Sequence, residues 1–356
     1  MAGALPSWET CRMVEVLAPE LDALELLVVV DNETDTLSSI DAGVDQIPEM
    51  ASLLGRLEPS GEHEGHPTTC VFDHLCVACH GLSVLVTGAL GDERRTALFD
   101  VGPYADVWLD NAERLDLDLA TIEVVFLSHW HADHSGGFPE VVGAIGDARA
   151  RAGLPAPLVD LHPDRPDQRG VQLPTGALAL LPPEPTFEAI EAAGGEVERN
   201  DETHAVAELF AGSGPIDRVT AYETGLFGHH TRVGESWEPD PLIMDERFLA
   251  ARVRGRGISV LSACSHAGVV NACLGARALF PDDPVDVVLG GYHLAGAAME
   301  ARIDDTIRDL TELIGPRIVA PGHCTGWRAK AALAAAFSPG RYGPSVVGSR
   351  YRLLGP

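Results

Sequence analysis

The sequence predicts an α/β fold, and three features carry that prediction. Between residues 258 and 337, strand and helix patterns alternate without interruption. The N-terminal third is rich in short apolar runs of strand length. Several of these runs end in histidine-bearing loops, as functional edges of open α/β sheets do.

The elements follow in order. Residues 24–31 read as a buried strand ending in a polar turn. Residues 55–69 are polar and rich in Gly and Pro, so they form a loop. Residues 82–87 and 96–100 form a hairpin around a Gly-Asp turn. A helix covers 107–115, a buried strand 122–128 and a second helix 139–152. The stretch 153–240 is heavy in Pro and Gly, with only a strand at 158–161 and a helix near 186–193. Strands at 258–262, 285–289 and 317–320 then alternate with helices at 269–280, 299–314 and 327–337. Ile303, Ile307, Leu310 and Ile314 give the helix 299–314 one apolar face. No clean linker divides the chain. The expectation is one domain over 1–356, with a core of about 24–330 and loop insertions near 35–70 and 153–240.

Composition excludes some function classes. Lys+Arg is 25 against 53 Asp+Glu, a formal net charge of −28, and Lys330 is the sole lysine. Such a field repels nucleic acid and anionic membrane surfaces. The apolar run 26–30 is far too short to span a bilayer. Residues 1–20 lack the basic start and apolar run of a signal peptide. Seven scattered cysteines do not make a disulfide scaffold. The expectation is a cytoplasmic protein with reduced thiols and a small-molecule substrate. The oligomeric state is open, a homodimer being one option. Cys76-Val77-Ala78-Cys79-His80 has the spacing of covalent haem attachment, but that chemistry follows export. A small metal site from Cys70, Cys76 and Cys79 with His63, His66 or His74 is an alternative to plain thiols under a loop.

Residues 128–137 carry the chemistry: Ser-His-Trp-His-Ala-Asp-His-Ser-Gly-Gly. A strand end is a rigid base, and the loop after it presents His129, His131, Asp133 and His134 together. Imidazole binds Zn, Fe, Ni and Cu, and the carboxylate adds charge. Two histidines at i and i+2 reach one ion; Asp133 and His134 reach a second beside it. Gly136 and Gly137 allow close backbone approach. Three later strands each run into a histidine, at His266, His293 and His323, so the site converges from several strand ends.

These residues resemble the signature of the metallo-β-lactamase superfamily. Val30-Asp31-Asn32, His80-Gly81-Leu82-Ser83, Leu98-Phe99-Asp100-Val101-Gly102, Thr224-Gly225, Cys264-Ser265-His266-Ala267-Gly268, Gly290-Gly291-Tyr292-His293-Leu294 and His323-Cys324-Thr325-Gly326 resemble one branch. It is the dihydropterin-6-methyl-ribofuranosylaminobenzene-5′-phosphate synthase-like branch. The resemblance implies an αβ/βα sandwich of two mixed sheets with helices outside and metals at one edge. It implies one or two zinc ions, with iron or manganese as alternatives. His129 and His131 would hold the first ion, Asp133 and His134 the second, with His266 and His323 completing the set. No Asp or Glu stands near His266 to bridge the ions. His293 is a ligand or an acid over the substrate, and Asp100 orients a ligating imidazole.

The expected reaction is metal-dependent hydrolysis or group transfer. A metal-bound hydroxide attacks a small phosphate- or carboxylate-bearing substrate, with Asp133 and His293 as catalytic residues. The helix at 269–280 is expected to turn its N-terminus toward the site and favour that anion. Alternatives are a condensation of the branch's type, a mononuclear iron dioxygenase and a non-catalytic metal-binding module.

Overall fold

The strand Ala23–Val30 is apolar on both faces because both are covered. Leu24, Leu26 and Val28 face inward, while Leu27 and Val29 face a helical layer outside. The computed structural model, which describes residues 17–356, repeats this two-sided burial in its two large sheets.

The first sheet has eight strands, in the order Glu196–Arg199, Leu158–Leu161, Ile122–Phe126, Glu93–Phe99, Ser83–Leu90, Ala23–Val30, Arg350–Leu354 and Gln46–Ile47. The first four run parallel and the remaining pairs antiparallel. The second sheet orders His204–Val206, Phe210–Gly212, Leu249–Val253, Gly257–Ser262, Val285–Gly291 and Ile318–Gly322, with Glu20–Leu21 beside Leu249–Val253. Its last three strands are parallel. The central core lies between the sheets and joins Phe99 and Phe126 of the first to Phe210, Leu261 and Leu289 of the second. Helices Ala105–Arg114 and Glu140–Arg151 cover the outside of the first sheet. Helices Val269–Leu279 and Trp327–Phe337 cover the second. The expected αβ/βα sandwich is present.

The parallel strands place the ends Phe126, Ser262, Gly291 and Gly322 at one edge, where the histidine loops begin.

Four expectations are corrected. The stretch 153–240 is not mainly loop: Leu178–Pro183, Gln168–Gln172, His229–Val233 and Ser236–Pro239 form an antiparallel four-stranded sheet of their own. The 35–70 stretch holds helix Glu49–Leu54 and the hairpin Gly61–His63 with His66–Thr68. The helix expected at 299–314 is three pieces: Ala297–Glu300, Ile303–Asp309 and a π-helical turn Leu310–Ile314 ended by left-handed Gly315. Leu310 and Ile314 are nevertheless buried, as the periodicity requires. The core also extends past 330, because Tyr351 and Leu353 enter it from the C-terminal strand.

Candidate metal centre

The loop after Ile122–Phe126 is tied down at each step. Leu127 donates its N–H to Asp160 O (3.0 Å), and its carbonyl accepts from the buried Arg247 (2.7 Å). Ser128 N–H donates to Asp100 Oδ1 at 2.7 Å. Asp100 sits at φ 60, a left-handed conformation that Asp tolerates better than bulkier residues. Ser265, His293 and His323 also have positive φ, so backbone strain gathers at this edge. The glycines perform as expected: a Cβ on Gly136 would stand 2.4 Å from Pro103 O.

Two donor clusters result. His129, His131 and His266 form the first, and Asp133, His134, Cys264 and His323 the second. In the first, His131 Nδ1 lies 3.0 Å from His129 Nε2 and 3.1 Å from His266 Nε2. In the second, Cys264 Sγ lies 3.2 Å from both His134 Nε2 and His323 Nε2, and Asp133 Oδ2 lies 3.3 Å from His323 Nε2. All but Asp133 are buried.

Hydrogen bonds on the far side of the His129, His134 and His323 rings decide where their lone pairs point. Ser128 Oγ donates to Asp100 Oδ2 (2.8 Å), so His129 Nδ1 must donate to Ser128 Oγ (2.9 Å). His134 Nδ1 donates to Asp100 Oδ2 at 2.7 Å, as expected of Asp100. Asn32 Oδ1 accepts from Gly81 N–H (3.0 Å) and from His323 Nδ1 (3.0 Å). In His129, His134 and His323 the hydrogen therefore sits outward and the Nε2 lone pair faces its cluster. Facing lone pairs repel unless a cation lies among them. Such outward partners are the usual way of orienting metal-binding histidines.

Electrostatics agree at the imidazole cluster; at the second cluster burial opposes charge, but nearby anionic groups outweigh it and raise His134 and His323 above the ordinary imidazole value. Burial, reinforced by neighbouring histidines, holds His129, His131 and His266 well below the ordinary imidazole range, so they are neutral, the ligating form. Burial and the neighbouring Cys324 push the Cys264 thiol well up, and a cation is what would stabilise its thiolate. Imidazole, carboxylate and thiol together fit zinc and similar divalent ions.

The structure thus gathers every donor expected from the sequence, and adds Cys264. That cysteine stands where a bridging carboxylate was found missing. It lies two positions before His266. His293 does not fall in either cluster; it lies in the cleft wall, its ring centroid 4.4 Å from that of His266, and groups with Cys264 and Cys324. The expectation for the helix N-terminus is corrected. At Val269–Leu279 the first amides are already taken by the buried Glu223, which accepts from Val270 N and Asn271 N at 3.0 Å. No substrate anion can use them. Cys76 is buried, and its N–H donates to Glu49 (2.5 Å); none of Cys70, Cys76 and Cys79 joins a donor cluster among the described residues.

The clusters floor a cleft of about 610 Å³. Its walls are apolar and come partly from the four-stranded sheet, through Val171, Leu181 and Pro183, and partly from Phe138 and Leu226. Among the described residues no helix is long and apolar enough to cross a membrane.

The metallo-beta-lactamase superfamily model matches residues 76–323, which include both donor clusters. The chain belongs to the metallo-β-lactamase superfamily. A curated superfamily relative, the 7,8-dihydropterin-6-methyl-4-(β-D-ribofuranosyl)-aminobenzene-5′-phosphate synthase of Methanocaldococcus jannaschii, is 28% identical over 256 residues, 70% of this chain and 82% of its own. The lactamase-like protein vrtG of Penicillium aethiopicum is 35% identical over 69 residues, 19% of this chain and 20% of its own. Among solved structures, the metallo-β-lactamase fold protein YhfI of Bacillus subtilis aligns over 93% of this chain and 100% of its own, with 10% identity and TM-score 0.46. The metallo-β-lactamase MIM-1 of Novosphingobium pentaromativorans covers 72% and 82%, with 13% identity and TM-score 0.32. Clustered His, Asp and Cys donors in this superfamily's fold make the chain a metal-dependent enzyme, with a mono- or dinuclear site of the kind that takes Zn, Fe or Mn.

Proposed function

We propose that the chain hydrolyses, or transfers a group from, a small substrate with an apolar body and a phosphate or carboxylate end. One observation carries this reading: two donor clusters side by side on the floor of an apolar cleft. His129, His131 and His266 would hold one ion; Asp133, His134, Cys264 and His323 would hold the other. Bound there, the ions would supply Lewis acidity and a water activated near neutral pH. Among the described residues no Arg or Lys lines the cleft, so an anionic end would find its positive charge at the bound ions. Val171, Leu181 and Phe138 enclose the apolar body and exclude water. Asp133, beside both His134 and His323, orients the nucleophile, and His293 in the cleft wall protonates the leaving group.

A second reading is the condensation named for the Methanocaldococcus jannaschii relative, favoured by similarity across 82% of that protein. The chain works as one cytoplasmic domain on a small molecule, and its net charge of −28 opposes nucleic-acid binding.

The test is elemental analysis of protein purified without added metal, with turnover of phosphodiester and lactone probes. One or two equivalents of zinc, and activity lost to chelator and restored by zinc, are expected. Protein that takes up no metal and turns over no probe overturns the reading. Iron with dioxygen consumption would favour the dioxygenase alternative, and a saturated site without turnover a binding module.

A further inference from the structure

His131 differs from the other histidines of the centre. It turns Nδ1, not Nε2, toward its cluster. Its outward nitrogen meets neither a carboxylate nor a serine. His131 Nε2 lies 2.9 Å from Nε2 of His229, in the four-stranded sheet.

The hydrogen on that contact can be placed. His229 Nδ1 lies 2.7 Å from the backbone carbonyl of Asp240. A carbonyl only accepts, so His229 Nδ1 carries hydrogen. His229 is buried, and the Asp240 carboxylate, 4.0 Å away, is engaged by Thr231 Oγ1 (2.7 Å) and faces Arg169 (3.6 Å). With its hydrogen on Nδ1, His229 presents the Nε2 lone pair to His131. His131 Nε2 must then donate, which leaves the lone pair on His131 Nδ1, between His129 and His266.

We propose that His229 is a positioning residue that fixes the tautomer and ring plane of His131, and so makes the first cluster competent to bind metal. The proposal rests on the reading that His129, His131 and His266 hold an ion. It gives the four-stranded sheet a second task beside walling the cleft. The His129 and His134 rings take their orientation from the sandwich itself, through Ser128 and Asp100; His131 takes its orientation from the added sheet. The first cluster is complete only when that sheet is docked.

The experiment compares wild type, His229→Leu and His229→Gln. Leucine removes the acceptor; glutamine offers an amide oxygen to His131 and an amide N–H to Asp240. Ring ¹⁵N shifts of the metal-free protein report the His131 tautomer, and chelator competition reports zinc affinity. Wild type should show His131 with hydrogen on Nε2. His229→Leu should mix the tautomers and weaken zinc binding at one site by about 10- to 100-fold, the usual effect of losing such a partner. His229→Gln should recover most of that loss. Unchanged tautomer and affinity in His229→Leu overturn the proposal. So does a wild-type His131 with hydrogen on Nδ1, a result that needs no variant to fold. Failure of wild type to bind metal would overturn the functional reading, while the metal-free tautomer judges the His229 contact separately.

Discussion

The two donor clusters share one cleft floor but differ in charge and in count. The first offers three neutral imidazoles; the second adds a carboxylate and a thiol to two imidazoles. Three protein donors leave a tetrahedral ion one open position, and four fill it. On the proposed assignment, water and substrate meet the imidazole cluster, and the mixed cluster anchors an ion that polarises the site from the side. The mixed cluster also carries the negative charge, so it should hold its ion more tightly and favour softer metals.

The largest effect that can break this comparison comes from His129→Ala with His131→Ala. Loss of an ion that polarises substrate forfeits several kcal/mol of transition-state stabilisation, roughly a thousandfold in rate. Kinetics and elemental analysis should show that loss together with about one missing equivalent of metal. Full metal content and full activity would remove the imidazole cluster from the mechanism. Cys264→Ser should act less on rate and more on metal choice. Its preference for cadmium over zinc, read by competition against a chromophoric chelator, should fall, while zinc at the first cluster remains.

Smaller effects test the outward hydrogen bonds. Ser128→Ala should weaken zinc at the first cluster, and Asn32→Leu at the second, each by about 10- to 100-fold. Titration calorimetry with each variant separates the two, and a loss shared equally by both sites would refute the division. The smallest effect serves as a scaffold control. His204 Nε2 lies 2.5 Å from Asp160 Oδ2, beneath the metal loop. Burial opposes its charge, but Asp160 holds the His204 imidazole above its ordinary value; His204 and Arg247 hold the Asp160 carboxyl below its own. His204 therefore contributes stability fully below pH 6.5 and loses it as pH rises through the raised value. Asp160 contributes above pH 3.8 and loses it only as pH falls through the lowered value. His204→Asn should cost on the order of 1 kcal/mol in thermal melts near pH 5.5, and less near pH 8.5. Neither metal affinity should change.

The α/β strand pattern and the histidine donors were legible in the sequence for the same reason, while the two-sheet sandwich came only from the family resemblance. Strands buried on both faces are continuous apolar runs, and the parallel ones end where function gathers, so His129, His266 and His323 stood out as punctuation after Phe126, Ser262 and Gly322. Cys264 stands two positions before His266, but a thiol in the place of a carboxylate carries no spacing signal of its own. His229 was not legible. It falls in no donor cluster among the described residues, and its proposed role depends on a contact between the added sheet and the metal loop. Its sheet was hidden as well. Leu178–Pro183 ends in two prolines, which an edge strand tolerates but which erase the strand pattern. Likewise Glu223, far from Val270 in sequence, filled a helix terminus that looked free.

The donors of each cluster come from distant parts of the chain: 129 with 266, and 133 with 323. An ion gripped by both ends closes a long loop, which an unfolded chain closes only at an entropic cost. The ions would thus act as rivets between the two sheets, one donor motif rising from each. Chelation should then do more than silence the chemistry. It should loosen the seam of the sandwich along its metal edge, and a chain cut within 153–240 should come apart at lower denaturant once its metal is removed.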